Sequence, residues 1–178
     1  SVYDFTTDYI YNHEPEALQP VYNAMTMIGY DAITLGNHDF DYGYDYLVSQ
    51  LETSGLEKSC VLSNVYSAAD NKSIFGVENK IIEKNITNDE GQVMTVKIGI
   101  LGETVPSLSS KTEKYKGKLV TEDILENAKK QAAALKKKGA DIVIALAHSG
   151  FGTDNPKKKA GDMAYMLTTV SDIDLVLA

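Results

Sequence analysis

Asp31-Ala32-Ile33-Thr34-Leu35-Gly36-Asn37-His38-Asp39-Phe40-Asp41 is an apolar run that stops at a glycine and then delivers an amide, an imidazole and two carboxylates. The pattern predicts a strand over 31–35 that hands its polar residues to a loop. A second run, Asp141-Ile142-Val143-Ile144-Ala145-Leu146-Ala147, delivers His148 in the same way, ahead of Ser149-Gly150-Phe151-Gly152. Two of the three histidines therefore stand at strand ends.

Outward from these runs the chain reads as alternating α and β. Leu18, Val21, Tyr22, Met25 and Ile28 recur at helical spacing, predicting a helix over 16–28 with Pro15 or Pro20 in its first turn and Gly29 as its C-terminal cap. A short helix is expected over 44–51, ending near Ser54-Gly55, and a strand over 60–65. Apolar runs at 80–86 and 93–101 flank Asn88-Asp89-Glu90-Gly91, which predicts an antiparallel hairpin. Thr121 is expected to cap a helix with Glu122 and Asp123 in its first turn, an apolar face of Leu125, Ala128, Ala132 and Leu135, and lysines at its end, charges that suit the helix dipole. The 141–147 strand, a helix over 162–167 and a strand over 173–178 complete the pattern. The order helix, acidic residue, apolar strand recurs at Asp31, Asp141 and Asp174 as recurring α/β architecture, not sequence duplication.

With 178 residues, 43% apolar and 24% charged, the chain has the composition of one globular domain and buries roughly two-thirds of the surface its unfolded form exposes. No apolar run approaches the ~18–20 residues of a membrane span. The N-terminal residues lack the basic and apolar regions of a signal peptide. The single cysteine, Cys60, rules out an internal disulfide and reads as a buried thiol within Cys60-Val61-Leu62. A net charge of −8 argues against a nonspecific nucleic-acid binder. A phosphate-ester substrate would then need metal ions to supply positive charge. Lys157-Lys158-Lys159 reads as a solvated loop, and His13 as a surface residue.

In α/β sheets ligands bind beyond the carboxyl ends of strands, so the loops bearing Asn37, His38, Asp41 and His148 are expected to meet at one edge. An amide oxygen and an imidazole nitrogen suit divalent ions such as Mn, Fe or Zn. Asn37 and His38 are adjacent, so they face different ways and take different roles. Asp41 is placed to accept a hydrogen bond from His38 and fix its tautomer, as a general acid for an alkoxide leaving group requires. Taken singly, Asn37 and Asp41 read as turn formers and His148 as a buried strand-end histidine. The joint pattern, two His-bearing loops with glycines after matching strands, reads as a site.

The string Gly36-Asn37-His38-Asp39-Phe40-Asp41 resembles the Gly-Asn-His-Glu/Asp motif of the calcineurin-like metallophosphoesterases. Extended to Ile33 and Gly43, and taken with Ala145-Leu146-Ala147-His148-Ser149-Gly150, it is similar to their 5′-nucleotidase branch, above all to bacterial 2′,3′-cyclic-nucleotide 2′-phosphodiesterase/3′-nucleotidases. The resemblance implies a four-layer α-β-β-α sandwich, here incomplete at both ends, with residues 1–178 the central part of one catalytic domain. It implies two divalent metal ions of the Mn, Zn, Fe or Co class, with Asn37 and His148 as metal ligands, His38 protonating the leaving oxygen and Asp41 orienting His38. Asp39 stands where Glu is commoner and is not expected to be a ligand. The family's upstream Asp-x-His and Gly-Asp, its downstream Gly-His-x-His and its C-terminal nucleotide-binding domain are not in the chain, so weak or no metal binding, and no activity, are expected of these residues alone.

The expected substrate is a nucleotide, a 2′,3′-cyclic diester and then a 3′-monophosphate. The alternatives are a 5′-nucleotidase or UDP-sugar hydrolase, or a non-catalytic binding module on the same scaffold. The resemblance also implies an extracytoplasmic location, and strands left without neighbours are expected to favour an edge-strand dimer.

Overall fold

The computed structural model describes residues 2–75, 77–106, 108, 115, 118–153 and 161–178; the lysine run at 157–159 lies outside them. The elements in chain order are helix α1 (Val2–His13), α2 (Pro20–Ile28), a 3₁₀ turn (Asn37–Phe40), α3 (Tyr44–Ser54), a short 3₁₀ turn (Leu56–Lys58), strands β1 (Val65–Ser67), β2 (Asn79–Thr87), β3 (Val93–Thr104) and β4 (Leu119–Thr121), α4 (Ile124–Lys137), β5 (Ile142–His148), α5 (Ala164–Leu167) and β6 (Leu175–Leu177). β2, β3, β5 and β6 form a four-stranded sheet in that order, and β1 pairs with β4.

The hairpin forms as its turn predicts, with Thr87 opposite Val93. Asn88 Oδ1 accepts from the backbone of Glu90 and Gln92, and Gly91 takes the left-handed conformation that closes the turn. β3 then runs three residues past the expected end, because its last residues gain β5 as a parallel neighbour, pairing Thr104 with His148.

The first expected strand is different. Only Ile33 pairs, in a single parallel bridge to Cys60, through Ile33 N to Ser59 O and Val61 N to Ile33 O, both 2.8 Å. The expected strand at 60–65 also dissolves, because its amides change partner at each step: Val61 donates to Ile33, Leu62 to Val77 and Ser63 to Gly102. An apolar run becomes a ladder only where one neighbour stays in register, and here the pairing strand begins later, at Val65.

Other boundaries move for local reasons. α2 starts at Pro20, whose missing N–H suits a first helical residue, and Gly29 caps it with φ 78°. The cap of α4 is Asp123, not Thr121: its carboxylate accepts from Leu125 N and Glu126 N, while Thr121 ends β4. α5 and β6 are shorter than expected, covering four and three residues. α1 was not legible as a periodic segment, and neither was β4. The recurring acidic residues are structural: Asp141 accepts from Lys97 N, Asp174 from Val143 N and Lys136, and Asp31 pairs with Lys84.

Two cores result. Tyr22, Ile33, Leu35, Phe40, Leu47, Leu51, Cys60 and Val65 pack on one side. Leu101, Ile124, Ala128, Ala132, Leu135, Val143 and Ala145 pack between the four-stranded sheet and α4 on the other. The halves meet where Gly102 of β3 lies so close to the 60s segment that a Cβ there would overlap the carbonyl of Val61 and press on Thr34. The layers are therefore helix, strand segment, sheet, helix. Cys60 is fully buried, and burial first, with Asp39 second, pushes its thiol up to about 12.

Candidate active site

In a 3₁₀ turn residues i and i+3 stand over one another, and Asn37–Phe40 uses that period to sort its side chains. Asn37 and Phe40 share the inward side, 7% and 1% exposed. His38 and Asp41 share the outward side, and His38 Nδ1 lies 2.7 Å from Asp41 Oδ2. Asp39 faces α2, where its carboxylate accepts from Tyr22 Oη and from Gly36 N, each at 2.7 Å. Tyr115 Oη donates to the carbonyl of Phe40 at 2.7 Å, and the Phe40 ring packs edge-on against Phe75 and Tyr115. The turn is thus pinned at Asp39 and Phe40, which leaves Asn37 and His38 aimed apart.

β5 brings His148 to the same place from the neighbouring sheet. Its Nε2 lies 2.8 Å from Asn37 Oδ1, joining residues 111 positions apart. Gly36 makes the approach feasible: a Cβ there would stand 2.8 Å from His148 Cε1 and Nδ1. Beyond His148 the loop is tied by Ser149 Oγ, which accepts from Met163 N and donates to the carbonyl of Gly161. Asn37, His38, Asp41 and His148 gather at one place, while residue spacing did not report Gly36 as the spacer for His148 or the Tyr22 anchor of Asp39. A tyrosine on the inner stripe of α2 was the available signal for that anchor. His13 is remote from the site, stacked on Tyr9 with Nδ1 on that residue's carbonyl.

The amide oxygen of Asn37 and the imidazole nitrogen of His148, hydrogen-bonded at 2.8 Å, are both donor types that divalent ions take. The donor set therefore fits a divalent metal. Among the described residues no three His, Cys, Asp or Glu side chains group to hold one, so Asn37 and His148 are a partial shell. A 360 Å³ pocket lined by Tyr22, Leu35, Gly36, His38, Asp39 and His148 opens beside them.

No family model matches the chain. The 2′,3′-cyclic-nucleotide 2′-phosphodiesterase/3′-nucleotidase of Salmonella typhimurium is 33% identical over 161 residues, 90% of the chain and 24% of that protein. A 5′-nucleotidase of Vibrio cholerae is 33% identical over 134 residues, 74% of the chain and 22% of that protein. The crystal structure of the calcineurin-like phosphoesterase YfkN from Bacillus subtilis superposes with TM-score 0.84 at 28% identity, over 95% of this chain and 52% of that one. The chain spans about a quarter of the length of the curated relatives it matches. The fold is that of the calcineurin-like phosphoesterase on which it superposes. Within that class the chain's homologues are cyclic-nucleotide phosphodiesterase/3′-nucleotidases and 5′-nucleotidases.

Proposed function

We propose that the protein containing this chain is a metal-dependent phosphohydrolase that opens 2′,3′-cyclic nucleotides to 3′-nucleotides and then releases the nucleoside and phosphate. The observation that carries this reading is the meeting of Asn37 Oδ1 and His148 Nε2 at 2.8 Å beside the outward pair His38–Asp41. Residues 1–178 are on this reading the central part of one catalytic domain, and Asn37 and His148 hold divalent ions of the Mn, Zn, Fe or Co class together with ligands contributed from outside the chain. When bound, two such ions polarise the phosphoryl group and supply a hydroxide-like nucleophile. The −8 net charge makes that positive charge necessary for an anionic substrate.

The chain's own residues handle the leaving group. Asp41 fixes the ring of His38 through Nδ1, which directs Nε2 to solvent; the His38 side chain is 61% exposed. As the oxygen of water forms its bond to phosphorus and the P–O2′ bond of the cyclic diester breaks, Nε2–H gives its proton to O2′. In the second round the leaving oxygen is O3′. Asn37, buried, takes no proton and positions the phosphate side of the site.

The same reading makes residues 1–178 alone inactive and places the protein outside the cytoplasm. No helix among the described residues is long and apolar enough to cross a membrane. It also pairs copies along an edge strand such as β6, whose Leu175 and Leu177 are about half exposed, and sedimentation that finds only monomer removes that element. The Vibrio cholerae relative favours a second reading, a 5′-nucleotidase. Turnover of 2′,3′-cAMP and of 5′-AMP by the full-length protein with Mn²⁺ separates them. Activity on the cyclic diester supports the first, activity on 5′-AMP alone selects the second, and no hydrolysis of either contradicts both.

A further inference from the structure

On the far side of the sheet, away from His148, β3 carries a carboxyl group that the proposed chemistry does not use. Side chains alternate along a strand, and Gly99 and Leu101 face Leu135, Ala140 and the rest of the α4 core, so Glu103 faces the start of α4. It is fully buried, and neither of its oxygens has a hydrogen-bond partner. Asn127, one turn into α4 and 1% exposed, spends its NH₂ on Tyr66 Oη at 3.1 Å and Glu122 Oε2 at 2.6 Å. Its Oδ1 is left without a partner. The charges that act on Glu103 are Glu122 and Asp123, so its surroundings are acidic as well as dry, and burial followed by these two holds its carboxyl well above the usual carboxylate range. Tyr66 joins the group, holding the Asn127 amide and feeling Glu122 and Glu103.

Buried acceptors without donors are costly, and more so when charged. Both Glu103 oxygens, on β3, and Asn127 Oδ1, in the first turn of α4, are left without a donor. A single proton on Glu103 makes one O–H and satisfies one further acceptor at most, whereas one cation can take all three. The set is all oxygen, which suits a hard ion, and the two carboxylates of Glu103 and Glu122 balance a divalent charge. An irregular oxygen set built from a strand and a helix suits Ca²⁺, which tolerates varied geometry, better than Mg²⁺, which demands an octahedron.

We propose that Glu103, Asn127 and Glu122 form a Ca²⁺ site that ties β3 to the first turn of α4, separate from the Asn37/His148 site. Asp123 stays outside it, because its carboxylate caps α4. Glu122, whose side chain is 39% exposed and has Lys130 at 3.8 Å, is the entry side.

The test uses full-length protein carrying His148→Ala, which removes one ligand of the candidate catalytic centre, stripped of metal and titrated with CaCl₂ or MgCl₂ while thermal unfolding and bound calcium are followed. Saturating Ca²⁺ is expected to raise Tm by about 4 °C or more, with one calcium bound and a smaller response to Mg²⁺. Glu103→Gln, and Glu103→Leu as a variant that suits a dry site, are expected to remove both the shift and the calcium. Absence of a calcium shift in the His148→Ala protein, or an unchanged shift in both Glu103 variants, overturns the site. Neither outcome depends on the protein being a phosphoesterase.

Discussion

Asn37 and His38 are neighbours with opposite surroundings, one buried against His148 and one in solvent beside Asp41, and the three-residue period of the turn sets the difference. Asp39 keeps the period in place. Replacing it with Ala removes the carboxylate that accepts from Tyr22 Oη and Gly36 N, so Asp39→Ala is expected to lower stability by about 1–3 kcal/mol in urea denaturation, with Asp39→Glu recovering part of the loss. Gly36 is a matter of space. Gly36→Ala puts a methyl 2.8 Å from the His148 ring, and pushing that ring aside is expected to lower metal affinity of the full-length protein about tenfold or more, read by titration with Mn²⁺. Both residues lie in the motif that was readable in the sequence, but their roles were not, since spacing reports which residues are near and not which contacts are tight.

At the scale of elements, what was legible depended on how local the cause was. The hairpin around Asn88–Gly91, the glycine caps of α2 and α3, and α4 follow from residues within a few positions of each other, and all form. The 31–35 run was read as a strand ending at a site, but only Ile33 pairs, because the pairing depends on residues near 60, and the 60s segment in turn divides its hydrogen bonds among Ile33, Val77 and Gly102. No single-sequence pattern reports that division. The packing of the two halves through Gly102 is equally non-local. Gly102→Ala forces a methyl onto the Val61 carbonyl, and the expected cost is about 3 kcal/mol or loss of the soluble fold, measured by urea denaturation; a change below 1 kcal/mol would mean that the layers slide apart freely.

For the whole molecule, Asp174, just before β6, joins the outer helix to the sheet. Asp174 Oδ2 takes Lys136 Nζ at 2.9 Å and Val143 N at 2.7 Å, and these bonds, the lysine first, lower its carboxyl below the ordinary value. A carboxylate lowered in the folded state stabilises the fold above the unfolded value of about 3.9, and that contribution is lost as pH falls through the folded value. Asp174→Asn is therefore expected to be less stable than wild type near pH 7, with the difference closing as pH falls through the folded value, by denaturation at each pH. The Asp174 side chain is 45% exposed, so the difference is small and shrinks further in high salt.

The central claim is that Asn37 and His148 share a metal while His38, held by Asp41, gives up the proton. It is tested most directly by Mn²⁺-dependent hydrolysis of 2′,3′-cAMP in the full-length protein, with bound metal quantified in wild type, Asn37→Ala and His38→Ala. The account predicts that His38→Ala keeps its metal and loses about 10²-fold or more in kcat, while Asn37→Ala loses metal and activity together. A wild-type protein that turns over the substrate with no metal bound, or a His38→Ala protein with full kcat, would contradict it.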